Sequence, residues 1–104
     1  MNMAADILRV LAVMQTVDIP EFFFLAGARH LGAELEALIT EPYLLDLAVG
    51  VLRRLSLVQR HTEKQMLAFH PLLQRVLSEH MSDRERAMWK SRVTAASAAI
   101  KSPL

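Results

Sequence analysis

Between residues 57 and 70 the hydrophobic period of this chain changes, and few architectures accommodate the change. Up to residue 55 apolar residues recur mostly at helical spacing. The runs LVQRH at 57–61 and MLAFH at 66–70 read instead as two short strands, joined by Thr62, Glu63, Lys64 and Gln65. This turn has neither Gly nor Asn, the residues that favour tight hairpins. Pairing centred on it sets Val58 opposite Phe69, a favourable β-branched/aromatic pair. Helical spacing returns at Pro71. The order is helices, one β-hairpin, helices.

Four helical segments precede the hairpin. Residues 4–15 carry Ile7, Leu8, Leu11 and Met14 on one stripe, with Asp6 and Arg9 outside it. Residues 16–20 are a break. Pro20 and Glu21 open a second helix, because proline suits a first turn and an acidic residue suits the positive helix end. Asp18 and Glu21 also have capping-box spacing. That helix bears Phe22, Phe23, Phe24 and Leu25 and stops at Gly27 or Gly32. Neighbouring residues lie about 100° apart round a helix, so three adjacent rings cannot share a face, and burial on two sides is the favoured reading. Residues 33–39 form a short helix with Leu35, Leu38 and Ile39 inward. Residues 43–55 are apolar nearly all round, with Asp46, Arg53 and Arg54 as polar positions and Gly50 among them, which predicts a buried central helix.

After the hairpin, Pro71 begins a helix with Leu72, Leu73, Val76, Leu77 and His80 on its apolar side. Ser82 and Glu85 have the spacing of a capping box. The last helix runs from Asp83 to about Lys101 on a stripe of Trp89, Val93, Ala96 and Ile100, and Pro103 stops it. A helical cluster followed by a two-stranded ribbon is the layout of a winged helix, a helix-turn-helix core with a hairpin wing. The expected fold class is therefore mainly α with one β-hairpin.

At 104 residues the chain suits one domain, with its core in residues 4–81 and a C-terminal helix at 82–101. Hydrophobic residues make up 53%, too many for a disordered chain and enough to predict apolar surface covered by a partner or by neighbouring domains. The chain reads as a segment of a larger multidomain protein. Cysteine is absent, which removes disulfides and thiolate metal sites and fits a cytoplasmic location. The apolar stretch at 10–14 follows Asp6 and Arg9, unlike a signal peptide. No apolar run nears the roughly 18 residues of a membrane span.

Enzyme chemistry finds little support. Gly27, Gly32 and Gly50 form no phosphate loop, and neither a nucleophile elbow nor HExxH is present. His30, His61, His70 and His80 lack paired metal spacing, so no metal site is expected. DNA binding is the alternative, with Arg53 and Arg54 on the reading helix and Arg60 and Lys64 on the wing. A net charge of +1 and the acidic Asp46 and Glu63 argue against it. A further alternative is a protein-interaction domain, dimeric through residues 22–24 or the final helix. His70 stands out because it precedes Pro71. That position forces extended backbone, so His70 should leave the strand and cap the next helix. The N–H groups of Leu72 and Leu73 would then lie free in the first turn, a place suited to an anion.

The run MLAFHPLLQRVL at 66–77 resembles the end of the winged-helix domain in NB-ARC-type signalling NTPases, the STAND class. The upstream run AVGVLRRLSLV at 48–58 is similar to the same family, an apolar helix followed by L-x-x-x-S-L-V entering the hairpin. The likeness is strongest to the bacterial winged-helix domain that precedes tetratricopeptide repeats, and it covers residues 7–77. In that family a Met-His-Asp motif follows the hairpin, and its His reaches the β-phosphate of ADP held on a separate nucleotide domain. Phe69, His70 and Pro71 occupy those positions, so the His matches while Met and Asp are replaced.

The resemblance implies a non-catalytic regulatory module in signal transduction. ADP would favour a docked winged helix, and exchange would release it and permit oligomerisation. Nucleotide drives such a switch only by binding the two arrangements unequally. The implied partners are the nucleotide-binding and helical-repeat domains of the same chain. His70 would be the nucleotide-sensing residue. ADP or ATP would sit on the separate domain, and this segment alone should bind neither appreciably.

Overall fold

The computed structural model describes residues 2–14 and 18–101. Among the described residues, six α-helices and three short strands follow in the order α1 (Asn2–Val13), β1 (Asp18–Pro20), α2 (Phe22–Ala26), α3 (Ala33–Glu36), α4 (Leu44–Arg54), β2 (Gln59–His61), β3 (Met66–Ala68), α5 (Pro71–His80) and α6 (Asp83–Lys101). Single 3-10 turns, Ala28–His30 and Ala37–Ile39, extend α2 and α3. The expected mainly helical architecture holds, but the sheet has three strands and not two.

The third strand is β1, in a stretch read from the sequence as a break. It pairs antiparallel with β3, setting Asp18 opposite Ala68, Ile19 opposite Leu67 and Pro20 opposite Met66. β2 flanks the other side of β3, giving the order β1-β3-β2. Gln59 faces Ala68 and His61 faces Met66. The strands are shorter than the expected 57–61 and 66–70: pairing stops at Gln59 and Ala68, and Val58 and Phe69, next in this register, are buried just beyond it. Three residues are too few to display alternation, and Pro20 is tolerated because an edge strand can lack an N–H. Glu21 accordingly lies before α2 with no capping bond from its side chain, and Asp18 is a strand residue, so the expected capping box there does not form.

One hydrophobic core joins the helices and the sheet. Ile7, Val10 and Leu11 of α1, Ile19, Phe24, Leu35 and Leu67 are completely buried. Each such side chain contributes about 1.5–3 kcal/mol by leaving water. Phe23 and Phe24 meet edge to face, with ring centroids 5.7 Å apart. The third ring, Phe22, is exposed, as is Leu25, so α2 is buried on one side within the chain and not on two. Ile39, expected inward, is also exposed.

α5 crosses α1 and ties it off, with Gln74 Nε2 donating to the carbonyls of Leu11 (2.9 Å) and Met14 (2.6 Å) at the C-terminal end of α1. Its inward residues are Leu73 and Leu77, whereas Leu72 and Val76 face solvent, against expectation. α6 packs on α1 and α2 through Trp89 and Ala96, two residues of the expected stripe. Gly27 permits this approach, since a Cβ there would sit 2.8 Å from that of Ala96. The expected stop at Pro103 lies outside the described residues. Among the described residues, no helix is long and apolar enough to cross a membrane.

Candidate functional site

His70 takes its position from its neighbours. Phe69 is anchored in the core, and Pro71 forces extended backbone on the residue before it. His70 has φ −64° and ψ 132°, leaves the sheet, and becomes the N-cap of α5. Its Nδ1 accepts the N–H of Leu72 at 3.0 Å. The Leu72 N–H is therefore engaged by the imidazole itself, and the expected pair of free donors does not stand there. The same bond assigns the tautomer: with Nδ1 accepting, the proton of neutral imidazole sits on Nε2. His70 is exposed, so the hairpin is followed by one oriented N–H donor at the surface.

A shallow groove of about 280 Å³ runs from His70 along the β2–β3 ribbon to the end of α4. Ser56, Gln59 and Ala68 line it together with Phe69 and His70. Ser56 is held there by a Schellman motif: Ser56 N–H donates to Arg53 O and Leu57 N–H to Leu52 O, both at 2.9 Å. Ser56 adopts φ +60°, the left-handed conformation this motif demands. Sequence reasoning missed Ser56 and Gln59 as groove residues. Their signal is positional, one ending α4 and the other opening β2.

The four cations considered for DNA are distributed differently. Arg53 and Arg54 are exposed at the end of α4, and Arg54 Nε donates to Gly50 O at 3.3 Å. Lys64 is exposed in the hairpin turn. Arg60 turns back to the body of the protein. Its Nε and Nη2 bind both carboxylate oxygens of Glu21, at 2.9 and 2.7 Å, and Nη2 also reaches Asp46 at 2.5 Å. These acceptors, Glu21 first, raise the guanidinium's pKa above its ordinary value. The triad links β2, α4 and the turn before α2.

α4 itself departs from the expectation of a helix buried all round. Leu45, Ala48, Val49 and Leu52 are buried, but Tyr43, Leu47 and Leu55 are exposed with Asp46, Arg53 and Arg54. A second groove, of about 240 Å³, lies where α1, α5 and α6 meet, with Leu8, Ala12, Leu77 and Met81 below Arg9 and Glu85. His30 and His61 lie on other elements, and His80 ends the helix that His70 caps. Among the described residues, no cluster of three or more His, Asp or Glu could hold a metal ion.

A family model described as a domain of unknown function (DUF7779) matches residues 1–86. No curated protein and no solved structure matches the chain.

Proposed function

The chain belongs to the DUF7779 family, and from that premise we propose that it is a non-catalytic, regulatory winged-helix module of a STAND-type signalling NTPase, packing on a nucleotide domain of the same protein. Support for the winged-helix reading comes from topology. A helix and an edge strand lead into a helical cluster ending in α4, and the β2–β3 ribbon follows as the wing in a sheet ordered β1-β3-β2.

The observation that carries the regulatory reading is the cap made by His70. A bond from Leu72 N–H to Nδ1 leaves Nε2–H pointing outward, the arrangement required to donate to a phosphate oxygen. Pro71 stands where the resembling family has Asp, and the imidazole performs the capping that a carboxylate would have supplied. ADP, bound on the nucleotide domain, would supply the negative charge. This chain's contribution is one N–H donor, oriented by the bond from Leu72 at the strand-to-helix junction. Release of the domain from the nucleotide then removes one charge-assisted hydrogen bond from the resting state.

The DNA-binding alternative draws less support. Arg60 is spent on Glu21 and Asp46, and the exposed face of α4 mixes Arg53 and Arg54 with Asp46, Tyr43 and Leu47.

The test is ADP release from the full-length protein with and without His70→Ala. A charge-assisted hydrogen bond is worth about 1.5–3 kcal/mol, so release should accelerate by roughly one to two orders of magnitude. His70→Asn, which can cap α5 but lacks a donor in the same place, should behave like the alanine variant. An unchanged release rate in both would refute the sensor role.

A further inference from the structure

The outward face of α4 is self-complementary. At 3.6 residues per turn, Tyr43, Asp46, Leu47, Gly50, Arg53 and Arg54 fall within about 120° of arc, with Gly50 in its middle. The buried residues Leu45, Ala48, Val49 and Leu52 lie opposite. Gly50 is unexplained by the chain's own packing. A Cβ built there meets nothing within 4 Å, and its φ lies outside the left-handed region. Glycine in a helix interior costs about 1 kcal/mol relative to alanine, so close approach from outside is the remaining physical use for it.

Charge supplies the identity of what approaches. Along this face Asp46 precedes Gly50, and Arg53 and Arg54 follow it. Neither arginine makes an ion pair among the described residues. An antiparallel copy of the same helix reverses the order of charge. With a twofold axis beside Gly50, Asp46 of each copy faces Arg53 of the other, and Leu47 lies along the aliphatic stem of Arg54. Such a contact is isologous: one patch serves both subunits and the assembly closes at two. Phe22, 54% exposed, follows Glu21, which shares Arg60 with Asp46.

We propose that this chain self-associates through α4, as a twofold antiparallel pair crossing at Gly50 and held by reciprocal Asp46–Arg53 contacts. The surface differs from the groove at His70, and the pairing holds or fails independently of nucleotide sensing. One helix face with its margin is smaller than the about 1,600 Å² of a standard interface, so the dimer is weak and reversible.

Sedimentation equilibrium from ~10 µM to ~1 mM spans the range in which a millimolar or tighter dimer populates. A monomer–dimer equilibrium that weakens with salt is expected. Gly50→Leu and Arg53→Glu should each raise the dissociation constant tenfold or more. Gly50→Leu should also melt at a higher temperature, which separates lost pairing from lost folding. Asp46→Lys and Arg53→Glu chains should each be monomeric alone and pair when mixed, because opposite charges then face each other at both contacts. A chain monomeric throughout the range would overturn the proposal. So would a dimer indifferent to both Gly50→Leu and Arg53→Glu, or a monomer whose Arg53 and Arg54 instead capture duplex DNA in a salt-sensitive way.

Discussion

Ser56 occupies a backbone conformation that its own side chain disfavours. Its φ of +60° closes the Schellman motif that ends α4 and turns the chain into the ribbon. A residue with a Cβ costs about 1–2 kcal/mol in that region, and glycine avoids the cost at some loss of unfolded-state restriction. Ser56→Gly should therefore stabilise the domain by about 0.5–1 kcal/mol. Urea unfolding would show this as a raised midpoint with an unchanged slope, and a lowered midpoint would contradict it. Gln65, at φ +52°, meets the same constraint in the hairpin turn. The lack of Gly or Asn in that turn was legible in the sequence, whereas the consequence, a glutamine in the left-handed region, emerged only with the backbone path. His70 divides similarly. The rule for a residue before proline foretold its cap, but not that its own ring would engage the Leu72 N–H.

α6 starts as its sequence indicated. Ser82 Oγ accepts from the Glu85 N–H at 3.1 Å, and Glu85 Oε1 accepts from the Ser82 N–H at 3.2 Å. The Ser82 backbone N–H, and after it the Ser82 hydroxyl, lowers the Glu85 carboxyl below its ordinary value. A carboxyl depressed in the folded state stabilises above its unfolded pKa, about 4.3, and the effect is lost as pH falls through the folded value. The melting-temperature difference between the native chain and Glu85→Gln should thus be largest near neutral pH and shrink below about pH 4.3. A difference that stayed constant down to pH 2 would show the carboxylate charge to be irrelevant. β1 is the opposite case. Asp18, Ile19 and Pro20 carry no local strand signal, and their pairing comes from Leu67 across the ladder. α4 departs from its expected burial for a related reason: an apolar composition says how much surface a helix would shed, not which part the fold leaves open.

For the molecule as a whole, the Arg60 triad ties the ribbon to the helices. Glu21 is 12% exposed and Arg60 19%, while Asp46, at 64%, contributes little through solvent. Arg60→Met keeps most of the stem but leaves Glu21 without its bidentate partner. The expected loss is about 1.5–3 kcal/mol, measurable by chemical denaturation. Amide exchange should also quicken in β2 while α1 remains protected. A loss below about 0.5 kcal/mol would mark the triad as an ordinary surface pair.

Local rules acted where partners are close in sequence: helix spacing, the Ser82–Glu85 box, the Pro71 start and the hairpin register each depend on residues a few positions apart. Contacts between distant positions required the folded chain. Arg60 is 39 residues from Glu21, and Gln74 is 63 from Leu11. Short-range geometry is encoded by torsional preference and can be read along the chain. A long-range partner is chosen by which surfaces the core brings together, so the third strand, the fate of Arg60 and the open face of α4 emerged only once the helices had packed.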